Sequence, residues 1–176
     1  FLAGDDSALT NDQLRGMALF YGKAQCGTCH SGTFQTDHRF YALGLPQFGP
    51  GKSHGADGSD HGRAAITGEA QDRYRFRTPS LRNVAMTAPY GHSGAFDTLD
   101  AMIRHHLDPM TSLAEYTGEM AILPGADGFE AGAMDDFDEV LAIAAAIDIA
   151  PAQLSDRDVA ALVTFLDALS DPTALD

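Results

Sequence analysis

The sequence is poor in cysteine, in tryptophan and in positive charge. Of its 176 residues two are cysteines and none is a tryptophan. The two cysteines, Cys26 and Cys29, lie three positions apart, which excludes a framework of structural disulfides. The formal net charge is -14 at pH 7, and the chain has no basic stripe of the kind that binds phosphates. We therefore expect neither a disulfide-stapled fold nor a nucleic-acid partner.

Long hydrophobic runs are also absent. The longest apolar run, residues 140–150, is interrupted by Asp148 and is shorter than the roughly 20 residues that a membrane-spanning helix needs. A hydrophobic content of 44% over 176 residues is nevertheless enough for one sizeable core. The sequence predicts a single domain over residues 1–176 without a membrane span.

Negative charge is concentrated between Arg104 and Arg157, a stretch that contains no lysine or arginine. Its eleven carboxylates are Asp108, Glu115, Glu119, Asp127, Glu130, Asp135, Asp136, Asp138, Glu139, Asp148 and Asp156. Two interpretations remain open: a solvated acidic face, or a docking surface for a basic partner protein.

Helical periodicity appears at four places. A capping-box pattern at Thr10 and Gln13 predicts a helix that leads into the cysteines. Further helices are predicted over residues 98–108, 134–149 and 155–169. Residues 31–80 are rich in glycine and lack periodicity, which predicts long loops, and no stretch alternates as a strand does. The pattern therefore predicts an all-α fold whose long loops wrap a ligand.

The two cysteines belong to a Cys26-Gly27-Thr28-Cys29-His30 segment. The spacing C-x-x-C-H lets two thiols add to the vinyl groups of a haem while the adjacent imidazole reaches the iron. A redox dithiol would need a βαβ context, and a zinc site would need two further ligands at comparable spacing. We predict one covalent haem c, bound through Cys26 and Cys29, with His30 as an axial ligand.

Two other segments invite a functional interpretation that we do not adopt. A metal cluster could be imagined from four side chains that lie in a glycine-rich stretch with no element to hold them rigid. We interpret that stretch as a surface loop; the side chains are His54, Asp57, Asp60 and His61. Residues 46–53 end like a phosphate-binding loop, but Pro46 replaces the first glycine and no helix pattern follows.

A haem iron in an electron carrier usually has a second axial ligand. The candidates are Met102, His105, His106 and Met110. His106 falls on the same helix face as Leu99, Met102 and Ile103, whereas His105 falls with Thr98 and Ala101. The periodicity therefore favours His106.

With the haem motif placed, three stretches carry a family resemblance: residues 75–84, 87–94 and 98–100. They resemble the C-terminal, electron-transfer haem domain of the bacterial diheme cytochrome c peroxidase family, which includes the diheme enzyme that matures methylamine dehydrogenase. The resemblance covers most of the chain and is weakest over residues 111–150. It implies a cytochrome c-like helical domain with long haem-wrapping loops.

The resemblance also implies a second ligand. In the family it lies seven residues after the leucine of a T-L-x-x motif, and it is methionine or tyrosine. Counting from Leu99 reaches His106. We therefore expect ligation by two histidines, and a reduction potential below that of a His/Met haem.

Three further residues take roles from the family pattern. The main-chain carbonyls of Thr87 and Pro89 match two ligands of a calcium ion, for which oxygen ligands are suited. His92 matches a P-Y-x-H-x-G loop, with a role in the haem pocket or at an interface.

Two residues within the segment 78–83, which reads Thr-Pro-Ser-Leu-Arg-Asn, are expected to contact the haem or its ligand. Arg82 is a candidate partner for a haem propionate, because a buried carboxylate needs a counter-charge. By analogy with small cytochromes c, the carbonyl of Pro79 is a candidate acceptor for the Nδ1–H of His30.

The family uses two haems, and this sequence has one C-x-x-C-H. The first hypothesis is therefore an electron-transfer domain or subunit of a diheme peroxidase-like oxidoreductase, whose second haem lies on another domain or subunit. Its partners would be that haem domain and a basic redox protein, with little turnover from this chain alone. The alternatives are a stand-alone monohaem periplasmic electron carrier and a catalytic haem with His106 displaced. Thioether attachment of haem takes place outside the cytoplasm, so we expect a periplasmic or otherwise extracytoplasmic location.

Overall fold

The computed structural model describes residues 4–5, 7–47, 59–117, 121, 132–171 and 173. Its helices are α1 (Asn11–Tyr21), α2 (Ala64–Thr67), α3 (Leu99–Leu107), α4 (Pro109–Ala114), α5 (Gly132–Asp135), α6 (Phe137–Ala146) and α7 (Asp156–Asp167). Two short strands that the sequence did not predict, β1 (Phe40–Tyr41) and β2 (Phe76–Arg77), pair antiparallel. The mostly helical content agrees with the all-α prediction. No helix in these ranges is long and apolar enough to cross a membrane.

The chain divides into two compact units. The first comprises Phe1–His38, Thr78–Thr87 and Ala152–Asp176, and the second comprises Arg39–Arg77 and Ala88–Pro151. Each is described by itself below. The expectation of one domain over the whole chain stays a prediction.

The first unit is built on the packing of α1 against α7. Gly16 of α1 faces α7 so closely that a β-carbon there would collide with the carbonyl oxygen of Ala161 and lie 2.6 Å from the β-carbon of Phe165. Phe20, one turn further along α1, packs on Phe165 with ring centroids 5.3 Å apart. The absence of a side chain at Gly16 is therefore what permits the helices to meet at this distance.

Both helices of this unit begin with a capping box, of which the one at Thr10 was predicted. Thr10 and Gln13 exchange hydrogen bonds at the start of α1, and Ser155 and Asp158 do so at the start of α7. Asp158 also pairs with Arg15 at 2.6 Å. The hydrogen bond from Arg15, followed by those from Ser155, lowers the pKa of Asp158 to about 2. Local sequence thus defines where both helices begin.

The core of the second unit contains Tyr74, Leu113 and Ile143, which are at most 3% exposed. Helix α3 begins after its N-cap Thr98, as predicted. Asp108 then caps a further helix, α4, that has Pro109 in its first turn. Proline suits this position because its missing N–H is not needed in the first turn of a helix.

The single helix predicted over residues 134–149 is wrong. The structure has α5 and α6 separated at Asp136, whose carboxylate accepts hydrogen bonds from the backbone N–H groups of Asp138 and Glu139. An aspartate that caps in this way competes with helix continuation, so the chain restarts there.

Candidate haem site

The C-x-x-C-H segment lies in the first unit, directly after α1. Gln25 adopts a left-handed conformation with φ of 56°, and a 3-10 turn over Cys26–Thr28 follows. The N–H of His30 donates to the carbonyl oxygen of Cys26 at 2.9 Å. A side chain at Gly27 would collide with the ring of Tyr21. The turn therefore brings the two cysteines and His30 together, all three half-buried.

The surroundings of the Cys26 thiol disfavour its thiolate form. Within the described residues, Cys26 and Cys29 form no disulfide. Burial raises the pKa of Cys26 to about 11, so its thiol is protonated at neutral pH. Thiolates are the form that attacks disulfides and binds zinc. Across the described ranges, no cluster of three or more His, Cys, Asp or Glu side chains is arranged to hold a metal ion.

His30 has a defined ring orientation. Its Nδ1 lies 3.2 Å from the carbonyl oxygen of Gln35. Because a carbonyl oxygen only accepts, Nδ1 carries the proton and Nε2 has the lone pair, as a metal-ligating imidazole requires. The sequence predicted the carbonyl of Pro79 as the acceptor, and that contact stays a prediction. Pro79 itself is exposed, next to Thr78, whose carbonyl accepts from Thr36 at 2.7 Å.

Arg82 lies on the surface of the same unit. Its side chain is 60% exposed, and Nη2 lies 3.3 Å from a carboxylate oxygen of Asp171. The predicted contact of Arg82 with a haem propionate stays a prediction.

The two adjacent histidines of α3, in the second unit, have different surroundings. His105 is fully buried, and both of its ring nitrogens are engaged: Nδ1 lies 2.9 Å from Ser112 Oγ and Nε2 lies 2.8 Å from the carbonyl oxygen of Leu43. Burial, followed by the proximity of His106, lowers the pKa of His105 to about 4. A neutral ring with both nitrogens occupied is a structural residue and cannot also bind a metal ion. Helix periodicity did not predict this burial.

His106 is half-buried, and its Nδ1 lies 2.9 Å from the carbonyl oxygen of Met102. The carbonyl fixes the proton on Nδ1 and leaves the lone pair on Nε2. In the described part of the chain the ring makes no second hydrogen bond. Burial lowers the pKa of His106, which favours the neutral form that ligates metals.

His92 is held in the second unit by a carboxylate and a ring. Its Nε2 lies 2.9 Å from Asp60 Oδ2, and its imidazole stacks on Phe76 with centroids 3.9 Å apart. Asp60 is itself fixed, because its backbone exchanges two hydrogen bonds with the side chain of Gln47.

The glycine-rich stretch interpreted as a surface loop is described only in part. His54 and Asp57 lie outside the described residues. Asp60 and His61 are half-buried and hydrogen-bonded, so the surface-loop interpretation does not hold for them.

Sequence reasoning missed a buried polar network in the second unit. Arg73 donates to the hydroxyl of Tyr74 at 2.7 Å and contacts His61 Nε2 at 3.0 Å. The hydroxyl of Tyr74 donates to Glu139 at 3.1 Å, and burial followed by the charge of Glu139 raises the pKa of Tyr74 to about 12. No signal for this network was available in the sequence, because Glu139 directly follows Asp138 in a run of acidic residues.

The two residues assigned to calcium, Thr87 and Pro89, are exposed. The hydroxyl of Thr87 donates to the carbonyl oxygen of Val84 at 3.0 Å. A calcium ion at their carbonyls stays a prediction.

No family model matches the chain. Among curated proteins it is 39% identical over 121 residues to the cytochrome-c peroxidase IdrP1 of Pseudomonas sp., a match covering 57% of this chain and 32% of that protein. It is 40% identical over 106 residues to the methylamine utilization protein MauG of Methylorubrum extorquens, covering 59% of this chain and 27% of that protein. It is 42% identical over 105 residues to the cytochrome c peroxidase Ccp of Escherichia coli, covering 59% of this chain and 22% of that protein.

Solved structures extend the likeness to nearly the whole chain. A MauG-like protein associated with microbial copper homeostasis gives a TM-score of 0.66 at 28% identity, over 96% of this chain and 49% of that one. The diheme peroxidase BthA of Burkholderia thailandensis gives a TM-score of 0.62 at 23% identity, over 93% of this chain and 43% of that one. The chain spans about a third or less of the curated relatives above and about half of these solved chains.

The fold class is that of a cytochrome c-like all-α haem domain, as predicted. The predicted resemblance to diheme cytochrome c peroxidases and MauG proteins is confirmed. The chain is therefore similar to one part of cytochrome c peroxidases and MauG-like proteins.

Proposed function

We propose that this chain is the electron-transfer haem domain or subunit of a diheme peroxidase-like oxidoreductase. It carries one haem c. The observation that supports this most directly is the 3-10 turn at Cys26–Thr28, which presents the two thiols beside an imidazole whose Nδ1–H is already donated to Gln35. These residues fit covalent haem attachment better than they fit dithiol or zinc chemistry.

The proposed axial ligands are His30 and His106, with Cys26 and Cys29 as the thioether positions. Support for His106 comes from the spacing after Leu99 and from its own surroundings, because Nδ1 is held by Met102 while His105 is fully engaged elsewhere. In each proposed ligand a backbone carbonyl fixes the tautomer and the ring plane, which is how proteins orient histidines toward metals.

When bound, the haem supplies one-electron storage. The chain's residues contribute the two neutral imidazoles and the hydrogen bonds that hold them. With both axial positions filled, peroxide has no coordination site on this iron, so we propose that peroxide reacts at a second haem elsewhere. Because this chain spans about half or less of the length of its relatives, the second haem could lie on a further domain of the same polypeptide or on a partner subunit.

Two further proposals concern calcium and location. Calcium at the carbonyls of Thr87 and Pro89 follows from the family resemblance. Periplasmic or otherwise extracytoplasmic location follows from the requirement for haem attachment outside the cytoplasm. Loss of bound calcium, measured by elemental analysis before and after chelation, tests the first.

The experiment that tests the proposed function is expression of the chain with a haem-attachment system. Intact mass and the pyridine haemochrome spectrum should report one haem, lost in Cys26→Ser/Cys29→Ser. Peroxide turnover of the purified holoprotein should stay near background. Turnover similar to that of a complete diheme peroxidase would contradict the electron-transfer role. A gene that encodes no second haem domain, with no second haem subunit co-purifying, would favour the stand-alone carrier.

A further inference from the structure

Helix α6 is apolar on two sides. Its inner side includes Ile143, fully buried, and Val140, partly buried against the core of the second unit. Its outer side exposes Phe137 by 76% and Leu141 by 55%, and Ala145 follows as a third exposed residue. We call Phe137, Leu141 and Ala145 the outer stripe of α6.

The outer stripe is continuous along the helix. Residues four apart lie one above the other on a helix, so the three side chains share one face. A helix that is apolar all round is normally buried all round. An exposed apolar strip bordered by polar residues is typical of a protein interaction site.

Carboxylates border the N-terminal end of this stripe. Asp135, Asp136 and Asp138 are exposed. No lysine or arginine occurs in the sequence between Arg104 and Arg157.

Two carboxylates of the acidic segment are engaged by other residues and do not belong to this border. Glu139 is 8% exposed and accepts from Tyr74, so it belongs to the interior. Asp148 pairs with Arg75 at 2.8 Å. The carboxylates next to the apolar strip are therefore Asp135, Asp136 and Asp138, at the N-terminal end of α6.

We propose that the outer stripe of α6 docks a basic protein whose contact surface has an apolar patch with lysine or arginine beside it, facing the aspartates at the start of α6. That this protein exchanges electrons with the haem rests on the proposed function; the docking surface itself does not. A second copy of this chain fits poorly, because it would bring the same aspartates against one another, and the chain carries a net charge of -14.

The test is titration of the full haem-loaded chain with a lysine-rich c-type cytochrome as the probe. Binding is measured by calorimetry at about 0.01 M and about 0.1 M salt, where the Debye length is ~30 Å and ~10 Å. Phe137→Ser/Leu141→Ser should weaken binding about tenfold or more at both salt concentrations, as loss of central apolar contacts does. Asp135→Asn/Asp138→Asn should weaken binding at low salt and change it little at high salt. Asp136 is left unchanged because it caps α6.

Glu69→Gln/Asp167→Asn is the matched control. It removes the same two charges from exposed positions on other elements and should bind as the parent does. Circular dichroism and the haem spectrum should be unchanged in every variant, because the substituted side chains are exposed. Equal weakening by the control pair would mean that net charge alone attracts the probe, which overturns the proposal.

Three other outcomes would overturn the proposed docking of a basic protein on the outer stripe. Absence of probe binding, with the haem spectrum as proposed, overturns the docking surface and leaves the proposed function intact. Self-association of the parent in sedimentation velocity that Phe137→Ser/Leu141→Ser abolishes would assign the stripe to a second copy. Probe binding by this chain but not by a longer gene product with a second haem domain would assign the stripe to that domain.

Discussion

His105 and Leu43 are joined by a hydrogen bond between Nε2 and the backbone carbonyl oxygen, 2.8 Å long and spanning 62 positions of sequence. Because a carbonyl only accepts, His105 carries its proton on Nε2 and accepts from Ser112 at Nδ1. The neighbouring His106 makes its bond to Met102, within its own helix. His105 therefore anchors α3, and His106 keeps an unprotonated Nε2, the form of imidazole nitrogen that binds a metal ion.

The anchoring role predicts a stability effect. His105→Ala removes a fully buried ring and leaves the Leu43 carbonyl without its donor, so we expect the free energy of unfolding to fall by about 2–4 kcal/mol. Urea denaturation followed by circular dichroism measures it. Arg104→Ala is the control on the same helix, since its exposed pair with Asp100 is worth ~0.5 kcal/mol or less. Equal effects of the two substitutions would contradict the anchoring role.

The crossing of α1 and α7 predicts that alanine is harmful at position 16. Gly16→Ala raises helix propensity by ~1 kcal/mol, but its β-carbon would collide with the Ala161 carbonyl, so we expect net destabilisation of about 1–3 kcal/mol. Ala18→Gly, at an exposed position of α1, measures the propensity effect alone and should cost ~1 kcal/mol. A stabilised Gly16→Ala variant would show that the helices do not meet as closely as described.

Two buried tyrosines predict alkaline instability. Burial raises the pKa of Tyr116 from 10.0 to about 12, and burial followed by the charge of Glu139 raises that of Tyr74 to the same value. The folded state therefore holds these protons longer than the unfolded state. Their stabilising effect is complete below pH 10 and is lost between pH 10 and 12, at up to ~1.4 kcal/mol per pH unit for each tyrosine.

Denaturation midpoints across that pH range measure the effect. Tyr116→Phe should show a shallower decline than the parent, because one titrating group is gone. A decline of equal slope in both proteins would mean that Tyr116 titrates normally.

Local sequence predicted the features that depend on a few neighbouring residues. The capping boxes at Thr10 and Ser155 are decided within four positions, and α3 begins at Thr98 for the same reason. The C-x-x-C-H turn is likewise a local structure. Each of these could be predicted without knowledge of the rest of the chain.

Features that depend on distant partners were missed. The burial of His105 requires Leu43, and the importance of Gly16 appears only when α7 lies against it. Glu139 belonged to an acidic segment in the sequence, but its contact with Tyr74 removes it from the surface. Tertiary contacts overrode the local pattern at all three positions.

The most direct test of the account is low-temperature electron paramagnetic resonance of the ferric, haem-loaded chain near neutral pH. We predict a low-spin signal from ligation by His30 and His106. His106→Ala should convert it to high spin, and added imidazole should restore low spin. His105→Ala, studied below its unfolding temperature, should stay low spin. A dominant high-spin signal in the parent, or a low-spin signal that survives His106→Ala without added imidazole, would contradict the proposed ligation.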